Sequence, residues 1–133
     1  MEIKFESNNY ILNLNNHTIN CPVRSNTLQI TGTLDIYGPG EIKRTEAETN
    51  KFILVLNGDN EHPATLNIHS GDFYHTAEYK ETCNIINVPK YSTLNIRGGT
   101  IASALAQYGT IYNSGTVNIY GGEIKNSANS GTS

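Results

Sequence analysis

The sequence predicts an all-β chain, wound as a right-handed single-stranded parallel β-helix of about five turns with three short strands in each. Two observations carry this. The first is composition. Of 133 residues, 18 are Asn, 15 Ile, 14 Thr and 12 Gly, with no Trp and one Met. That mixture is poor in strong helix formers and rich in β-branched and turn residues. The second is an internal repeat. Thr33-Leu34-Asp35-Ile36-Tyr37-Gly38-Pro39-Gly40-Glu41-Ile42 recurs as Thr65-Leu66-Asn67-Ile68-His69-Ser70-Gly71-Asp72-Phe73 and as Thr93-Leu94-Asn95-Ile96-Arg97-Gly98-Gly99-Thr100-Ile101. The last copy is Thr116-Val117-Asn118-Ile119-Tyr120-Gly121-Gly122-Glu123-Ile124, and a degenerate first one runs from Ile11 to Ile19.

Each element follows from the copies. Their leading apolar residues stand at 12, 34, 66, 94 and 117, with steps of 22, 32, 28 and 23 residues. A step of 22 or 23 suits one three-stranded turn, and the longer steps are that turn with a corner insertion. The unequal steps argue for the right-handed form over the strict hexapeptide left-handed one. Within a copy, apolar and polar residues alternate, which marks a strand with one face inward. A glycine-containing pair then makes the corner, since glycine tolerates positive φ. The next apolar residue (Ile19, Ile42, Phe73, Ile101, Ile124) returns inside. The third strand precedes the next copy, at 27–30, 52–56, 84–88 and 110–112. One rung cannot bury its own inward residues, so rungs about 4.8 Å apart must stack like on like. Leu12, Leu34, Leu66, Leu94 and Val117 are expected to form one inner column. Leu14, Ile36, Ile68, Ile96 and Ile119 form the next. The chain divides into an N-terminal strand or cap (1–10), the β-helix (11–125) and a polar tail or start of a further turn (126–133).

At these residues the chain resembles the right-handed parallel β-helix, pectin-lyase-like superfamily. Asn15-Asn16-His17-Thr18-Ile19, followed by the recurrent T-L-N-I-x-G-G-x-I, is closest in flavour to repeats of phage spikes and fibres and of bacterial surface proteins. The resemblance spans residues 10–125. It is specific for fold and weak for function, because the motif is made of core and corner residues. It implies a family that includes polysaccharide lyases and hydrolases, tailspikes and adhesins. Trimers are common among the resembled spikes, yet no residue here demands one.

The outward residues also align. One column is Asn13, Asp35, Asn67, Asn95 and Asn118, and beside it run Thr33, Thr65, Thr93 and Thr116. Stacked amides and β-branched residues stabilise a pleated sheet, and they also offer a flat polar surface to a repetitive ligand. A further column is Asn15, Tyr37, His69, Arg97 and Tyr120. Across the corner stand Thr18, Glu41, Asp72, Thr100 and Glu123. The expected ligand-binding residues are Tyr37, His69, Arg97, Tyr120, Asn67 and Asn95.

No catalytic constellation stands out. The weak candidates are Glu41, Asp72 and His69. Glu41 and Asp72 on neighbouring turns would lie about 5–6 Å apart, flanked by Tyr37 and His69. Mutual repulsion would raise one pKa and leave the other carboxylate ionised, as acid–base work on a sugar requires. Only the insertions 43–51 and 57–64 could wall such a site. Metal is not expected: although His69, Asp72, His75 and Glu78 lie close in sequence to the polar loop 57–63, His69 and Asp72 lie on opposite sides of a corner, and His75 falls in the variable segment after the strand. No cofactor motif is present. Cys21 and Cys83 match no metal spacing and read as two free buried thiols.

Net charge is −3, too small to argue for nucleic acid or an anionic membrane as partner. No apolar run approaches the roughly 18 residues of a membrane-spanning helix. The chain carries no N-terminal secretion signal, which suits a virion protein; a cell-surface setting is also favoured and a cytoplasmic one is open. The polar tail is too hydrophilic to cover a core well; the chain is expected to be part of an assembly, pairing with itself as a homo-oligomer or with a neighbouring fibre segment, and a tail that folds back as a poor cap is the alternative. Three functions compete. The first is a non-enzymatic structural or adhesion module that binds a surface glycan or a protein. The second is a polysaccharide lyase or glycosidase using carboxylates on stacked turns. The third is a small phage-encoded inhibitor of a host protein.

Overall fold

The computed structural model describes residues 3–5, 8–21, 27–44, 52–75, 85–103 and 110–126. They form fifteen strands in five rungs, about four complete turns from the first rung to the last. The first rung holds β1 (Ile3–Phe5), β2 (Asn9–Asn13) and β3 (Thr18–Asn20). The second holds β4 (Leu28–Ile30), β5 (Thr33–Tyr37) and β6 (Glu41–Arg44). Then come β7 (Leu54–Leu56), β8 (Ala64–Ile68) and β9 (Asp72–His75), followed by β10 (Ile86–Val88), β11 (Ser92–Ile96) and β12 (Thr100–Ser103). The last described rung is β13 (Ile111–Asn113), β14 (Thr116–Ile119) and β15 (Glu123–Asn126).

Taking every third strand gives three five-stranded sheets. Sheet 1 stacks β1, β4, β7, β10 and β13; sheet 2 stacks β2, β5, β8, β11 and β14; sheet 3 stacks β3, β6, β9, β12 and β15. Neighbouring rungs pair in parallel throughout the described residues. The fold is therefore the three-stranded parallel β-solenoid that the repeat predicts. From the second rung on, the register is as expected: Leu34, Leu66, Leu94 and Val117 lie opposite one another, as do Ile36, Ile68, Ile96 and Ile119. The middle rungs close the core, with Leu34, Ile36, Leu66, Ile68, Leu94 and Ile96 all fully buried. Each such side chain contributes about 1.5–3 kcal/mol of apolar burial, which one rung alone could not secure.

The first rung departs from expectation by one dyad. Tyr10 lies opposite Leu34, and Leu12 opposite Ile36. Leu12 therefore heads the Ile36 column and not the Leu34 column, and Leu14 heads neither. The polar columns shift with them: Ile11, not Asn13, stands over Asp35, and Asn13, not Asn15, stands over Tyr37. The cause is the corner between sheets 2 and 3. It spans four residues in the first rung (14–17) and three in each later one (38–40, 69–71, 97–99 and 120–122). Asn15 and Asn16 turn the long corner at positive φ (47° and 64°), a conformation that asparagine tolerates. Leu14 swings into the enlarged corner and is buried there. A Cβ on Gly40 would stand 2.5 Å from the Leu14 Cβ, so a side chain at position 40 would leave Leu14 no room.

Candidate functional site

Sheet 2 gathers the expected binding residues on one flank. Outward residues of β5, β8, β11 and β14 recur at the rung pitch, so Asp35, Asn67, Asn95 and Asn118 make one column. Tyr37, His69, Arg97 and Tyr120, at or just past the ends of the same strands, make the column beside it. Both columns are locked by their own contacts. The Asn95 Nδ2 donates to Asn67 Oδ1 (2.8 Å), and Asn118 Nδ2 donates to Asn95 Oδ1 (2.9 Å). The His69 Nε2 lies 2.7 Å from Asp35 Oδ1. A carboxylate only accepts, so Nε2 carries the proton. Tyr37 stacks on His69 with ring centroids 4.2 Å apart and planes 3° from parallel. The Arg97 guanidinium lies over the Tyr120 ring, 4.7 Å from its centroid, a cation–π contact.

This stacking decides what a ligand meets. Tyr37 and His69 occupy successive rungs, so rings piled face on face lie across the solenoid axis. The faces they turn to each other are covered, and a molecule on the flank meets ring edges, the Tyr37 hydroxyl and the outward valences of the amides. The free valences repeat along the axis at the strand spacing of about 4.8 Å. The surface suits an extended ligand that makes hydrogen bonds.

The three weak catalytic candidates are divided. Glu41 and Asp72 lie opposite each other on β6 and β9 of sheet 3. His69, on the sheet 2 side of the corner, is engaged with Asp35 and makes no hydrogen bond or ion pair with either of them. Glu41 instead accepts from the Tyr74 hydroxyl and from the Thr18 hydroxyl (3.0 Å). The Tyr74 bond, then the Thr18 bond, hold its pKa below the ordinary carboxylate value. The Tyr74 phenol is pushed up to about 12, chiefly by the same bond. Glu41 is thus held ionised by the hydrogen bonds it accepts. The loop at 57–63 joins sheet 1 to sheet 2, so it stands at the far edge of sheet 2 from this pair and does not wall it. There Asp59 accepts from the Glu61 and His62 amides (2.9 and 2.7 Å). Residues 45–51 of the other insertion, Glu78, Cys83 and the tail from 127 lie outside the described residues.

A testable consequence follows at Glu41. Its lowered pKa adds stability that is present above the ordinary carboxylate range and is lost as pH falls through the lowered value. Tyr74, with its raised pKa, adds stability that is present below pH 10 and is lost as pH rises towards 12. Tyr74→Phe removes both contributions together. In an NMR titration the Glu41 midpoint then moves up towards the ordinary value; a midpoint that stays put contradicts the contact.

The alternation of sheet 3 continues one dyad further than its apolar residues. Arg44, His75, Ser103 and Asn126 lie opposite one another at the strand ends. Arg44 is 1% exposed and His75 6%, so His75 belongs to a strand and points inward, not to a variable surface segment. Ser103 Oγ lies 3.0 Å from Thr110 Oγ1, which donates to the Lys125 carbonyl (2.8 Å). Cys21 follows β3 beside this column and is half-buried. Burial pushes its thiol above the ordinary value, against the opposing pull of the Thr27 hydrogen bond and the Arg44 charge. The signal that could have found the column is I-K-R, F-Y-H and I-A-S read as one alternating pattern. Among the described residues, no group of three or more His, Cys, Asp or Glu side chains is placed to hold a metal ion.

Compared with protein-family models, with curated proteins and with solved structures, the chain matches none.

Proposed function

We propose that the chain is a non-enzymatic structural and adhesion module of a phage fibre or spike or of a surface protein, and that sheet 2 receives its partner, a glycan or a protein. The likeness of its repeat to the pectin-lyase-like β-helices supports the setting. The observation that carries the binding reading is the paired column on sheet 2. Tyr37, His69, Arg97, Tyr120, Asn67 and Asn95 come from four rungs yet share one flank, each held by a neighbour of the same set or by Asp35 or Asn118. Side chains ordered in advance lose little entropy on binding. The partner lies along the axis and spans several rungs.

A glycan array and a panel of bacterial surfaces test this. Binding by the parent chain should fall about tenfold or more in the Arg97→Ala/Tyr120→Ala double variant, a loss of about 1.4 kcal/mol or more. Lys125→Ala, on sheet 3, should leave it unchanged. Equal losses in both variants, or binding indifferent to both, would remove sheet 2 from the account.

A further inference from the structure

The ends of the stack differ from its flanks. Among the described residues, large aliphatic side chains are exposed at three positions: Ile11 (75%), Ile119 (60%) and Ile124 (37%). All three belong to the first and last rungs. Ile119 and Ile124 end columns that are closed above them, on Ile96 and Ile101. The backbone has the same asymmetry. Among the described residues, the first and last strands of each sheet have a strand neighbour on one side only, and a sheet edge is where a further strand adds.

We propose that the last rung of one copy receives the first rung of a second copy, with β14 on β2, β13 on β1 and β15 on β3. The pairing is parallel, as it is between rungs inside the chain. Val117 and Ile119 then meet Tyr10 and Leu12, in the same apolar register that already joins Tyr10 and Leu12 to Leu34 and Ile36. Ile11 comes to lie against Asn118, so the amide ladder stops at the joint and an isoleucine is covered there. Such a contact joins different surfaces of the two copies and leaves both outer ends free. It therefore repeats into an open stack. The joint deepens the fibre reading, while its test reads assembly alone, so it stands or falls separately from ligand binding on sheet 2.

Two variants cap one end each. Ile119→Lys puts a charge on the last rung. Ile11→Pro removes an amide from the upper edge: Leu14 N donates to the Tyr37 carbonyl (2.8 Å), so by the two-residue period of a ladder the Ile11 amide faces away from β5. In sedimentation velocity the unmodified chain should form larger species as concentration rises. Each variant alone should sediment as a monomer, and an equal mixture of the two should give a one-to-one dimer and nothing larger. Ile124→Lys and Asn9→Pro repeat the two caps, and circular dichroism checks that all four variants fold. A parent chain that stays monomeric at every concentration overturns the joint. So does a mixture that stays monomeric, or Ile11→Pro dimerising alone through its last rung.

Discussion

Ile68→Ala lowers the stability of the monomer by about 2–5 kcal/mol, whereas Ile119→Ala, in the same column two rungs on, costs about 0.5 kcal/mol or less. The two residues share one strand position and one motif, T-x-N-I. Their difference is stacking. Ile68 is fully buried, with Ile36 opposite it on one side and Ile96 on the other, while Ile119 has a neighbour on one side only and is 60% exposed. Truncating Ile68 leaves a cavity that two fixed backbones cannot collapse to fill, and truncating Ile119 leaves solvent. Urea unfolding of dilute protein measures both. Equal costs would mean that the repeat does not bury its residues by stacking.

Gly99→Ala is the second large effect. Gly99 holds φ at +85°, and a Cβ there would stand 2.5 Å from the Gly71 carbonyl oxygen. That oxygen is not free to retreat, because it accepts the Thr100 amide (2.9 Å). The substitution thus adds left-handed strain, about 1–2 kcal/mol, to a backbone clash. A total loss of at least about 2 kcal/mol should lower the melting temperature by roughly 6 °C or more. An unchanged melting temperature would show that the corner is looser than its rung-on-rung packing implies.

How much of this could be read beforehand depends on what sets each feature. The three later copies align without ambiguity, because Thr, Leu or Val, Asn and Ile recur in fixed order and the constant three-residue corner leaves no slack. The strands of sheet 1 follow, since they are the apolar segments left between copies. The first rung misleads because Tyr10, Leu12 and Leu14 are all apolar and evenly spaced. A period of two selects the inward face and cannot select between registers that differ by a whole dyad. What settles it is the four-residue corner, a matter of Asn15 and Asn16 adopting positive φ and of Leu14 filling the space above Gly40.

The candidate site divides in the same way. Its columns are a direct product of the register, so their membership was legible from Asp35, Asn67, Asn95 and Asn118 alone. The contacts within them were not. Whether His69 turns to Asp35 or to Asp72 depends on rotamers on either side of a corner, and both choices suit a histidine. Glu41 has the same ambiguity: Asp72 and Tyr74 both lie across from it on β9, and the phenol wins because it can donate. The inward column of Arg44, His75 and Ser103 was hidden for a different reason. Polar residues at strand ends ordinarily belong to surface loops, and only the rung above and the rung below reveal that these are enclosed.

The claim beneath all of this is that copies of unequal length wind into one cross-section. Amide-to-amide NOEs and couplings across hydrogen bonds test it most directly. The account predicts that the Arg97 amide couples to the Ile68 carbonyl and the Tyr120 amide to the Ile96 carbonyl, bonds of 2.8 and 2.7 Å, with Asn95 near both Asn67 and Asn118. Close Hα–Hα contacts between β8 and β11, the mark of antiparallel pairing, would contradict it.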